Sequence, residues 1–435
     1  MKLLWGLVLG LGLLTGCSSG PEPLTFWAMG QEGERVEPIL APFRKSHPEI
    51  QLKIQTIPWG AAHDKLLTAF AGQSTPDVCQ MGNTWIPELA SVNALRPLDD
   101  FLAGTPSIAP ADYFEGIWHA NHVDKQLFGL PWYVDTRALY YRKDLLAQAG
   151  FQSPPATWAE WAHMAKVLTI DRNGDGQPER YGVTLPANPS GVTVPLFLAW
   201  QNGGDLVNAT ATEATVTSPA FIEAVSFYAE FFRVQSSPRE VGGLTNFQQA
   251  FVDGAFAMFI SGPWDAQGLH ERHPEMDGKW AVAPLPAKKL GGSRASMAGG
   301  SSLVIFRASK KADEAWKLIE YLSQPDVQAK FHAATADLPA RRSAWQLAGL
   351  SAKPEAMAFF AQLQDTRPVP SVPEWEQLAD KLGIWTEKVV YGRMPADQAM
   401  TSLQAEMNQI LSKRRWLLSR PAKPAMTSSA ETRPR

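Results

Sequence analysis

Along the first part of the chain, segments whose apolar residues have the spacing of a strand alternate with segments whose apolar residues have the spacing of a helix. Residues 24–27 form a short strand-like apolar run, and apolar side chains within 34–45 recur at helical spacing. Residues 52–57 alternate as in a strand, 61–71 form a second helical pattern, and 76–81 are again strand-like. This order of strands and helices predicts a mainly parallel sheet with helices on both faces.

The same alternation continues through the rest of the chain and becomes richer in helices towards its end. A strand pattern at 139–141 precedes a helix, and Thr157 with Glu160 forms a capping-box pattern that begins another helix. Further strands are predicted at 255–260, 280–283 and 302–306, and further helices at 219–232, 313–322, 326–334, 354–364, 375–390 and 395–411. The pattern therefore predicts an α/β protein.

The first residues have the pattern of an export signal. An unbroken apolar run covers residues 3–14, which is too short to span a bilayer. It ends in Leu14-Thr15-Gly16-Cys17, which resembles the bacterial lipobox, whose cysteine is lipidated and becomes the new N-terminus. We therefore predict a lipoprotein signal peptide at 1–16, lipidation of Cys17 and a tether at 17–23, with an ordinary export signal as the alternative. The composition of 419–435 predicts a disordered tail.

Composition and charge narrow the functional class. The 435 residues carry a net charge of −3, with Lys and Arg spread along the chain, which argues against a nucleic-acid partner. Neither a His-Glu-x-x-His motif nor a phosphate-binding P-loop occurs, so we expect no catalytic residue and no cofactor. The 16 Trp residues outnumber the 8 Tyr residues and provide flat surfaces for the core or for a ligand.

One acidic turn has the spacing of a calcium-binding loop but is incomplete. Asp171, Asn173 and Asp175 occupy the first, third and fifth positions, and Glu179 occupies the ninth. The twelfth position is Gly182, where such a loop carries a bidentate glutamate. We interpret the segment as a structural turn, with a bound calcium ion as the alternative.

Several short segments, taken in their order along the chain, resemble a known family. They are Leu24-Thr25-Phe26-Trp27, Thr75-Pro76-Asp77-Val78, Met81-Gly82-Asn83-Thr84-Trp85, Gly129-Leu130-Pro131-Trp132-Tyr133-Val134-Asp135-Thr136, Ala257-Met258-Phe259-Ile260-Ser261-Gly262-Pro263-Trp264, Gly299-Gly300-Ser301 and Leu338-Pro339-Ala340-Arg341. Behind a lipobox, this series resembles the extracellular solute-binding proteins (family 1) of carbohydrate ABC importers, the maltose-binding-like group.

The resemblance implies two lobes of the type II periplasmic-binding-protein fold, each a mainly parallel sheet flanked by helices. The chain would cross between the lobes near 133–136, 283–286 and 323–326. The N-terminal lobe would comprise residues 24–133 and 284–323, and the C-terminal lobe residues 136–282 and 326–418. A ligand in the cleft would stabilise a closed form by bending this multi-crossing hinge.

Aromatic side chains are the first candidates for contact with a ligand of this class. A sugar presents apolar C–H faces and a rim of hydroxyl groups, so its site needs both aromatic rings and polar side chains. Trp264 follows a predicted strand and a Gly-Pro turn, and we expect it to stack on a sugar ring. The next candidates are Trp85 and Tyr133, then Trp27, Trp200 and Trp375. For each of them, packing in the core is the alternative.

Polar candidates accompany these rings. Asp135 lies at the expected hinge, where its carboxylate would accept hydrogen bonds from hydroxyl groups or would pair with Arg137. The other candidates are Glu32, Asn83, Gly299, Gly300, Ser301 and Arg341. For the glycines the alternative to a ligand contact is a tight turn, and for Arg341 it is an ion pair within its own lobe.

The sequence and the resemblance together imply a substrate-binding lipoprotein that captures a disaccharide, oligosaccharide or glycoside and delivers it to the permease of an ABC importer. It would be a monomer, lipid-anchored in the cell envelope at the outer face of the cell membrane, and it would do no chemistry. Two alternatives remain. Arg137 and Arg341 together in the cleft would favour an anionic solute such as a glycerophosphodiester, and a pair of carboxylates would allow a lipid-anchored glycoside hydrolase.

Overall fold

The computed structural model describes residues 22–188, 193–240 and 247–419. Its strands are β1 (Leu24–Met29), β2 (Leu52–Ile57), β3 (Val78–Gly82), β4 (His122–Val123), β5 (Gln126–Leu127), β6 (Leu130–Asp135), β7 (Ala138–Arg142), β8 (Met258–Ser261), β9 (Trp280–Ala283), β10 (Ser296–Met297), β11 (Gly299–Ile305), β12 (Leu338–Pro339) and β13 (Thr366–Arg367). The predicted signal peptide, the lipobox with Cys17 and all but one residue of the predicted tail lie outside the described residues.

The α-helices surround these strands. They are α1 (Gly30–Arg35), α2 (Glu37–Ser46), α3 (Trp59–Ala71), α4 (Ile86–Ser91), α5 (Asp99–Ala103), α6 (Glu115–His119), α7 (Lys143–Gln148), α8 (Trp158–Leu168), α9 (Thr193–Gln201), α10 (Pro219–Arg233), α11 (Phe247–Asp253), α12 (Pro263–Arg272), α13 (Ala312–Leu322), α14 (Pro325–Thr335), α15 (Arg342–Leu347), α16 (Pro354–Leu363), α17 (Trp375–Val390), α18 (Ala396–Ile410) and α19 (Ser412–Leu418). The α/β class predicted from the apolar pattern is confirmed.

A six-stranded sheet in the order β12-β6-β11-β3-β1-β2 forms the centre of the first lobe. β1 pairs in parallel with both β2 and β3, whereas β11 runs antiparallel to β3 and β6, and β12 antiparallel to β6. Four strands therefore run towards one edge of the sheet and two return from it. Leu24, Phe26 and Ala28 of β1 are buried, as the alternation of side chains along a strand predicts.

The second lobe contains a three-stranded sheet in the order β8-β7-β9. β7 is antiparallel to both of its neighbours, so the parallel pairing expected of each lobe is found in the larger sheet but not in the smaller. The direction of the chain explains the difference. β7 enters this lobe at the interlobe boundary and runs away from it, whereas β8 and β9 run back towards it.

The chain first passes between the lobes where β6 ends at Asp135 and β7 begins at Ala138, in the region that the resemblance implies. A second crossing lies directly beside it. Gly299, the first residue of β11, pairs with Asp135. Thr136 Oγ1 donates a hydrogen bond to the carbonyl oxygen of Met297 at 2.9 Å. Two adjacent, hydrogen-bonded crossings thus form the centre of the hinge.

The return crossing lies further along the chain than expected. At 283–286 the chain is still in the second lobe, because Leu285 belongs to that lobe's core and Ala287 bridges to Thr157. The chain returns only at 297–299, directly before β11. The position of this crossing is set by the strand that follows it, here β11 beside β6.

The last crossing also lies later than expected. The resemblance implies 323–326, but α14 packs against α1 and α2, and β12 pairs with β6, so both elements stay in the first lobe. The chain passes over between α15 and α16, and α16 packs on β9 of the small sheet. Helical periodicity predicts that α14 buries one face, but it does not say which lobe covers that face.

Helices α9, α10, α17 and α18 pack on one another beyond the small sheet and build the core of the second lobe, with Trp161 and Trp200 among its buried side chains.

The predicted capping box is present at the start of α8. Thr157 Oγ1 accepts the backbone N–H of Glu160 at 3.2 Å, and the Glu160 carboxylate accepts the backbone N–H of Thr157 at 3.1 Å. Among the described residues, we find no helix with the length and apolar character needed to cross a membrane.

Gly300 is required by the contact between the two central strands. Its φ is +124°, and a Cβ atom there would lie 2.4 Å from the carbonyl oxygen of Tyr133 on β6. We expect Gly300→Ala to lower the free energy of unfolding by about 2 kcal/mol or more, because both the backbone conformation and the close approach exclude a side chain. Chemical denaturation measures this loss.

Gly60→Ala is the matched control for this variant. Gly60 lies in α3, and a Cβ atom there would meet nothing within 4 Å. The added methyl group should be neutral or stabilise the protein by about 0.5–1 kcal/mol. Equal stability of the Gly300→Ala variant and the wild type would contradict the role assigned to the β6–β11 contact.

Candidate functional site

A cavity of about 360 Å³ lies between the lobes, at the edge where four strands of the large sheet end. β1, β2, β3 and β6 run towards this edge, and β11 and β12 start from it. Open α/β sheets bind ligands outside the carboxyl ends of their strands, so the topology places a site here. The lining residues are Gln31, Glu32, Trp59, Gly82, Asn83, Thr84, Trp85, Tyr133, Asp135, Arg137, Pro263, Trp264, Met297, Gly299, Gly300 and Asp337.

Aromatic side chains from both lobes line this cavity. Trp59 begins α3 and Trp85 ends the short turn after β3; their ring centres are 5.7 Å apart and their planes are inclined by 59°. Trp264, the second residue of α12, belongs to the second lobe and is 47% exposed. Tyr133 on β6 is buried. The two lobes thus offer flat apolar surfaces of the kind that cover the C–H face of a sugar ring.

An ion pair fixes the position of the Trp264 side chain. Arg137 Nη1 donates to Asp135 Oδ1 at 2.8 Å, and the Arg137 guanidinium lies 4.7 Å from the centre of the Trp264 ring. A cation over an indole face is attracted to it, so the pair holds the ring at the cavity. Asp135 therefore lines the cavity and also makes the ion pair that was the alternative for it.

Glu32 lines the first-lobe side of the cavity and is buried although it carries a carboxylate. Tyr133 donates its hydroxyl to Glu32 Oε1 at 2.8 Å, and Trp59 Nε1 donates to Oε2 at 3.3 Å. Burial, and then the nearby negative charges of Asp337 and Glu32, raise the pKa of Tyr133 well above its ordinary value, so its hydroxyl remains a donor. These donors stabilise the buried carboxylate and hold it in one orientation.

Asp337 immediately precedes β12 and lines the same cavity. Burial raises the pKa of its carboxyl group well above the ordinary value, and the negative charges of Glu32 and Asp135 raise it further. One of its oxygens, Oδ2, is buried and has no hydrogen-bond partner among the residues that the structure describes. The cavity wall therefore contains an acid whose protonated form is favoured.

Most of the residues proposed from the sequence lie together in this cavity. They are Glu32, Asn83, Trp85, Tyr133, Asp135, Trp264, Gly299 and Gly300. Asn83 donates from Nδ2 to the carbonyl oxygen of Ala298 at 3.0 Å, which connects the end of β3 to the return crossing. A Cβ atom at Gly299 would lie 2.2 Å from Asp135 Oδ1, so a side chain there would displace the Asp135 carboxylate.

Three proposed tryptophans lie outside the cavity. β1 extends two residues beyond the predicted run, so Trp27 lies inside the strand, paired with β2 and β3, with Lys65 Nζ 5.0 Å from its ring centre. Trp200 and Trp375 are each only 5% exposed and belong to the second-lobe core. For these two residues, the alternative of core packing describes the structure.

Two proposed polar residues also serve the first lobe instead of the cavity. Ser301 is buried in β11, and its hydroxyl donates to the carbonyl oxygen of Met81 at 3.0 Å. Arg341 donates from Nε to Asp112 Oδ2 at 2.7 Å and from Nη1 to the carbonyl oxygen of Ser323 at 3.1 Å. Its alternative, a pair within its own lobe, is what the structure contains.

Trp59 and Asp337 are among the cavity residues that sequence reasoning missed. Trp59 directly follows β2, so the rule that selected Trp85 and Trp264, an aromatic residue after a strand, could have found it. Asp337 follows a helix and precedes a strand of only two residues that was not predicted. No local signal identifies it, because its place in the cavity depends on the pairing of β12 with β6.

The acidic turn that resembles a calcium loop satisfies its own backbone. Asp171 accepts the N–H groups of Gly174 at 2.8 Å and Gly176 at 3.0 Å, and Glu179 accepts the N–H of Arg172 at 2.8 Å. Within the described part of the chain, no group of three or more His, Cys, Asp or Glu side chains is arranged to hold a metal ion. The hydrogen bonds agree with the interpretation of a structural turn.

The charges around the cavity are mainly negative. Three carboxyl groups, Glu32, Asp135 and Asp337, line it against one guanidinium, that of Arg137. Carboxylates accept hydrogen bonds and repel anions, so this lining is suited to a ligand that is rich in hydroxyl donors. Aromatic faces beside such acceptors fit a carbohydrate better than an anionic solute.

Known proteins are similar to this chain in both sequence and fold. Residues 24–329 match the family described as bacterial extracellular solute-binding proteins. The solved structure of the sugar-binding protein MalE from Xanthomonas citri is 41% identical and has a TM-score of 0.85, covering 92% of this chain and all of that one.

Two further relatives extend the comparison. The diacetylchitobiose-binding protein DasA of Streptomyces coelicolor is 25% identical over 90% of this chain and 90% of its own. An ABC transporter solute-binding protein of Thermotoga lettingae, solved with bound α-D-tagatose, is 25% identical with a TM-score of 0.76, covering 90% of this chain and 100% of that one. The chain belongs to the family of bacterial extracellular solute-binding proteins.

Proposed function

We propose that this protein binds a disaccharide, oligosaccharide or glycoside in the interlobe cavity and delivers it to the permease of an ABC importer. One observation carries the proposal: Trp59, Trp85 and Trp264, from both lobes, surround a cavity that also contains the acceptors Glu32 and Asp135. Rings cover the apolar faces of a sugar and carboxylates bind its hydroxyl groups. The similarity to MalE, a sugar-binding protein, and to DasA, a diacetylchitobiose-binding protein, supports the same ligand class.

The position of the cavity explains how binding would signal to a transporter. Trp85 belongs to the first lobe and Trp264 to the second, so a ligand that contacts both is buried fully only when the lobes close on it. The crossings beside Asp135 and Gly299 provide the hinge for that movement. The closed form is then the one that the permease recognises, and ATP hydrolysed on other subunits of the importer drives the transport.

The site gives little support to an anionic ligand. Arg341 pairs with Asp112 away from the cavity, and Arg137 is already paired with Asp135. A glycerophosphodiester would therefore meet three carboxyl groups without an unpaired arginine to bind its phosphate.

The site also gives little support to hydrolysis. A glycosidase needs one carboxyl group that protonates the leaving group and a second that attacks or activates water. The protonated form of Asp337 can fill the first of these roles. The second role lacks a free carboxylate among the lining residues, because Glu32 is held by the donors Tyr133 and Trp59, and Asp135 is held by Arg137. We therefore propose that the protein has no enzymatic activity.

The N-terminal sequence supports a location at the outer face of the cell membrane. The lipobox that ends at Cys17 would attach the protein by a lipid, and the short tether would leave both lobes free to move. We propose that the anchored protein acts as a monomer in the periplasm or outside the cell.

A panel of sugars tests the proposed function directly. One disaccharide, oligosaccharide or glycoside should raise the melting temperature, and at about 100 times its dissociation constant it should stabilise the protein by roughly 2.7 kcal/mol. Thermal shift against sugars, with glycerophosphodiesters as the comparison and product analysis of each mixture, measures this. Stabilisation by the phosphodiesters alone, or turnover of the sugar, would contradict the proposal.

Trp264→Ala should weaken sugar binding on the order of 100-fold while changing the stability of the empty protein little, because an exposed ring is lost. Trp200→Ala is the matched control, since that indole is 5% exposed in the second-lobe core. Its loss should lower the free energy of unfolding by about 3–5 kcal/mol. Calorimetric titration with the sugar and chemical denaturation measure the affinity and the stability of both variants. A large loss of stability with unchanged sugar affinity in Trp264→Ala would show that Trp264 is not part of the site.

Cys17→Ser should release the protein from membranes and leave its sugar affinity unchanged, because the residues that line the cavity begin at Gln31, beyond the tether. Fractionation of cells that express the wild type and the variant measures the release. A wild-type protein found entirely in the soluble fraction would show that the lipobox is not used.

A further inference from the structure

A buried polar atom without a partner in the wall of a binding cavity needs a physical explanation. Asp337 Oδ2 is such an atom: it is buried, and it has no hydrogen-bond partner among the described residues. Buried polar groups in folded proteins are nearly always satisfied, because an unsatisfied one loses its hydrogen bonds to water without compensation. Since Asp337 lines the cavity, the missing partner can be a group of the ligand.

The register of the large sheet places Asp337 beside another acid. Leu338 pairs with Val134 and Pro339 with Tyr133, so Asp337, the residue before β12, comes next to Asp135 when the same register is continued. The titratable and charged groups that face Asp337 are Glu32 and Arg35 on α1, Tyr133 and Asp135 on β6, and His332 on α14.

The balance of these groups favours a neutral Asp337 in the empty cavity. Burial raises the pKa of its carboxyl group first, and Glu32 and Asp135 raise it further. Arg35 and the Thr335 hydroxyl act in the opposite direction but do not reverse the shift. Burial lowers the pKa of His332, whose Nδ1 lies 3.1 Å from the backbone oxygen of Asp337, so this histidine is not a strong source of positive charge.

The other two acids of the cavity already have donors. Glu32 accepts hydrogen bonds from Tyr133 and Trp59, and Asp135 accepts one from Arg137. These donors belong to the protein and are present without a ligand. Asp337 differs because one of its oxygens is buried and has no donor among the described residues, so it gains most from a donor that arrives with the ligand.

We propose that Asp337 is a specificity-determining residue of the cavity, whose carboxyl group accepts a hydrogen bond from a hydroxyl of the bound sugar and releases a proton to solvent as it does so. The inference rests on the proposed sugar binding. A hydrogen bond to the ionised form stabilises that form, so the pKa of Asp337 is lower in the complex than in the empty protein. A sugar that lacks the hydroxyl at this position is selected against, because the acid is then left without its partner.

The direction in which sugar affinity changes with pH follows from the pKa of Asp337 in the empty protein and in the complex. Since the sugar binds the ionised form and the pKa is higher in the empty protein, affinity increases as the pH rises from the pKa of the complex to that of the empty protein. Above the higher pKa the affinity no longer changes, because Asp337 is then ionised before the sugar arrives.

Calorimetric titration of the full chain with the tightest-binding sugar of the panel tests the proposal. Titration in pairs of buffers that hold the same pH but differ in ionisation enthalpy, repeated at several pH values, counts the protons released on binding. The wild type should release up to about one proton per sugar at pH values between the pKa of Asp337 in the complex and its pKa in the empty protein, and none above the higher of the two. This measurement needs no variant, so it does not depend on the stability of a substituted protein.

Asp337→Asn should abolish this proton release, flatten the pH dependence and weaken binding by about tenfold or more. Asp326→Asn is the matched control, because Asp326 is an exposed acid of α14 paired with Lys330 at 2.9 Å, and it should behave as the wild type. Sugar binding without proton release in the wild type, or release and affinity that persist in Asp337→Asn, would overturn the inference and leave the proposed function intact. Absence of binding to every sugar would instead overturn the proposed function and this inference with it.

Discussion

The antiparallel pairing of β6 with β11 is the contact on which the hinge and the cavity both depend. β6 carries Tyr133 and Asp135, and β11 begins with Gly299 and Gly300, whose missing side chains allow the two strands to approach. β6 leads directly into the first crossing to the second lobe, and β11 follows directly after the crossing by which the chain returns. The pairing therefore places the side chains that face the proposed ligand beside the crossings between the lobes, where a hinge movement would couple binding to closure.

The second physical constraint is the presence of acids in a partly dehydrated cavity. Carboxylates are useful acceptors for sugar hydroxyl groups, but each one that is buried must be stabilised in the absence of a ligand. The protein provides Tyr133 and Trp59 for Glu32, and Arg137 for Asp135. One oxygen of Asp337 has no donor among the described residues, and burial raises the pKa of this carboxyl group.

The apolar pattern predicted most elements of the fold but not always the lobe to which they belong. β1, β2 and β3 occur where alternation and short apolar runs indicate them, and the capping box at Thr157 begins α8. In contrast, the stretch after β9 stays in the second lobe, and α14 with β12 stays in the first. An amphipathic helix or a short strand encodes a face to be buried, and any neighbouring apolar surface can satisfy it.

The sequence by itself determined the α/β class and the lipobox pattern. It also indicated candidate site residues, chosen as aromatic and polar residues that follow predicted strands. That rule holds for Trp85 and Trp264 because the carboxyl ends of parallel strands meet at one edge, wherever the strands lie in the sequence. Only the tertiary structure decided that Trp27 and Trp200 are not in the cavity, since one lies inside a longer strand and the other in a helical core. It also brought Asp337 beside Asp135, because strand pairing over a long separation in sequence depends on the whole sheet and leaves no local pattern.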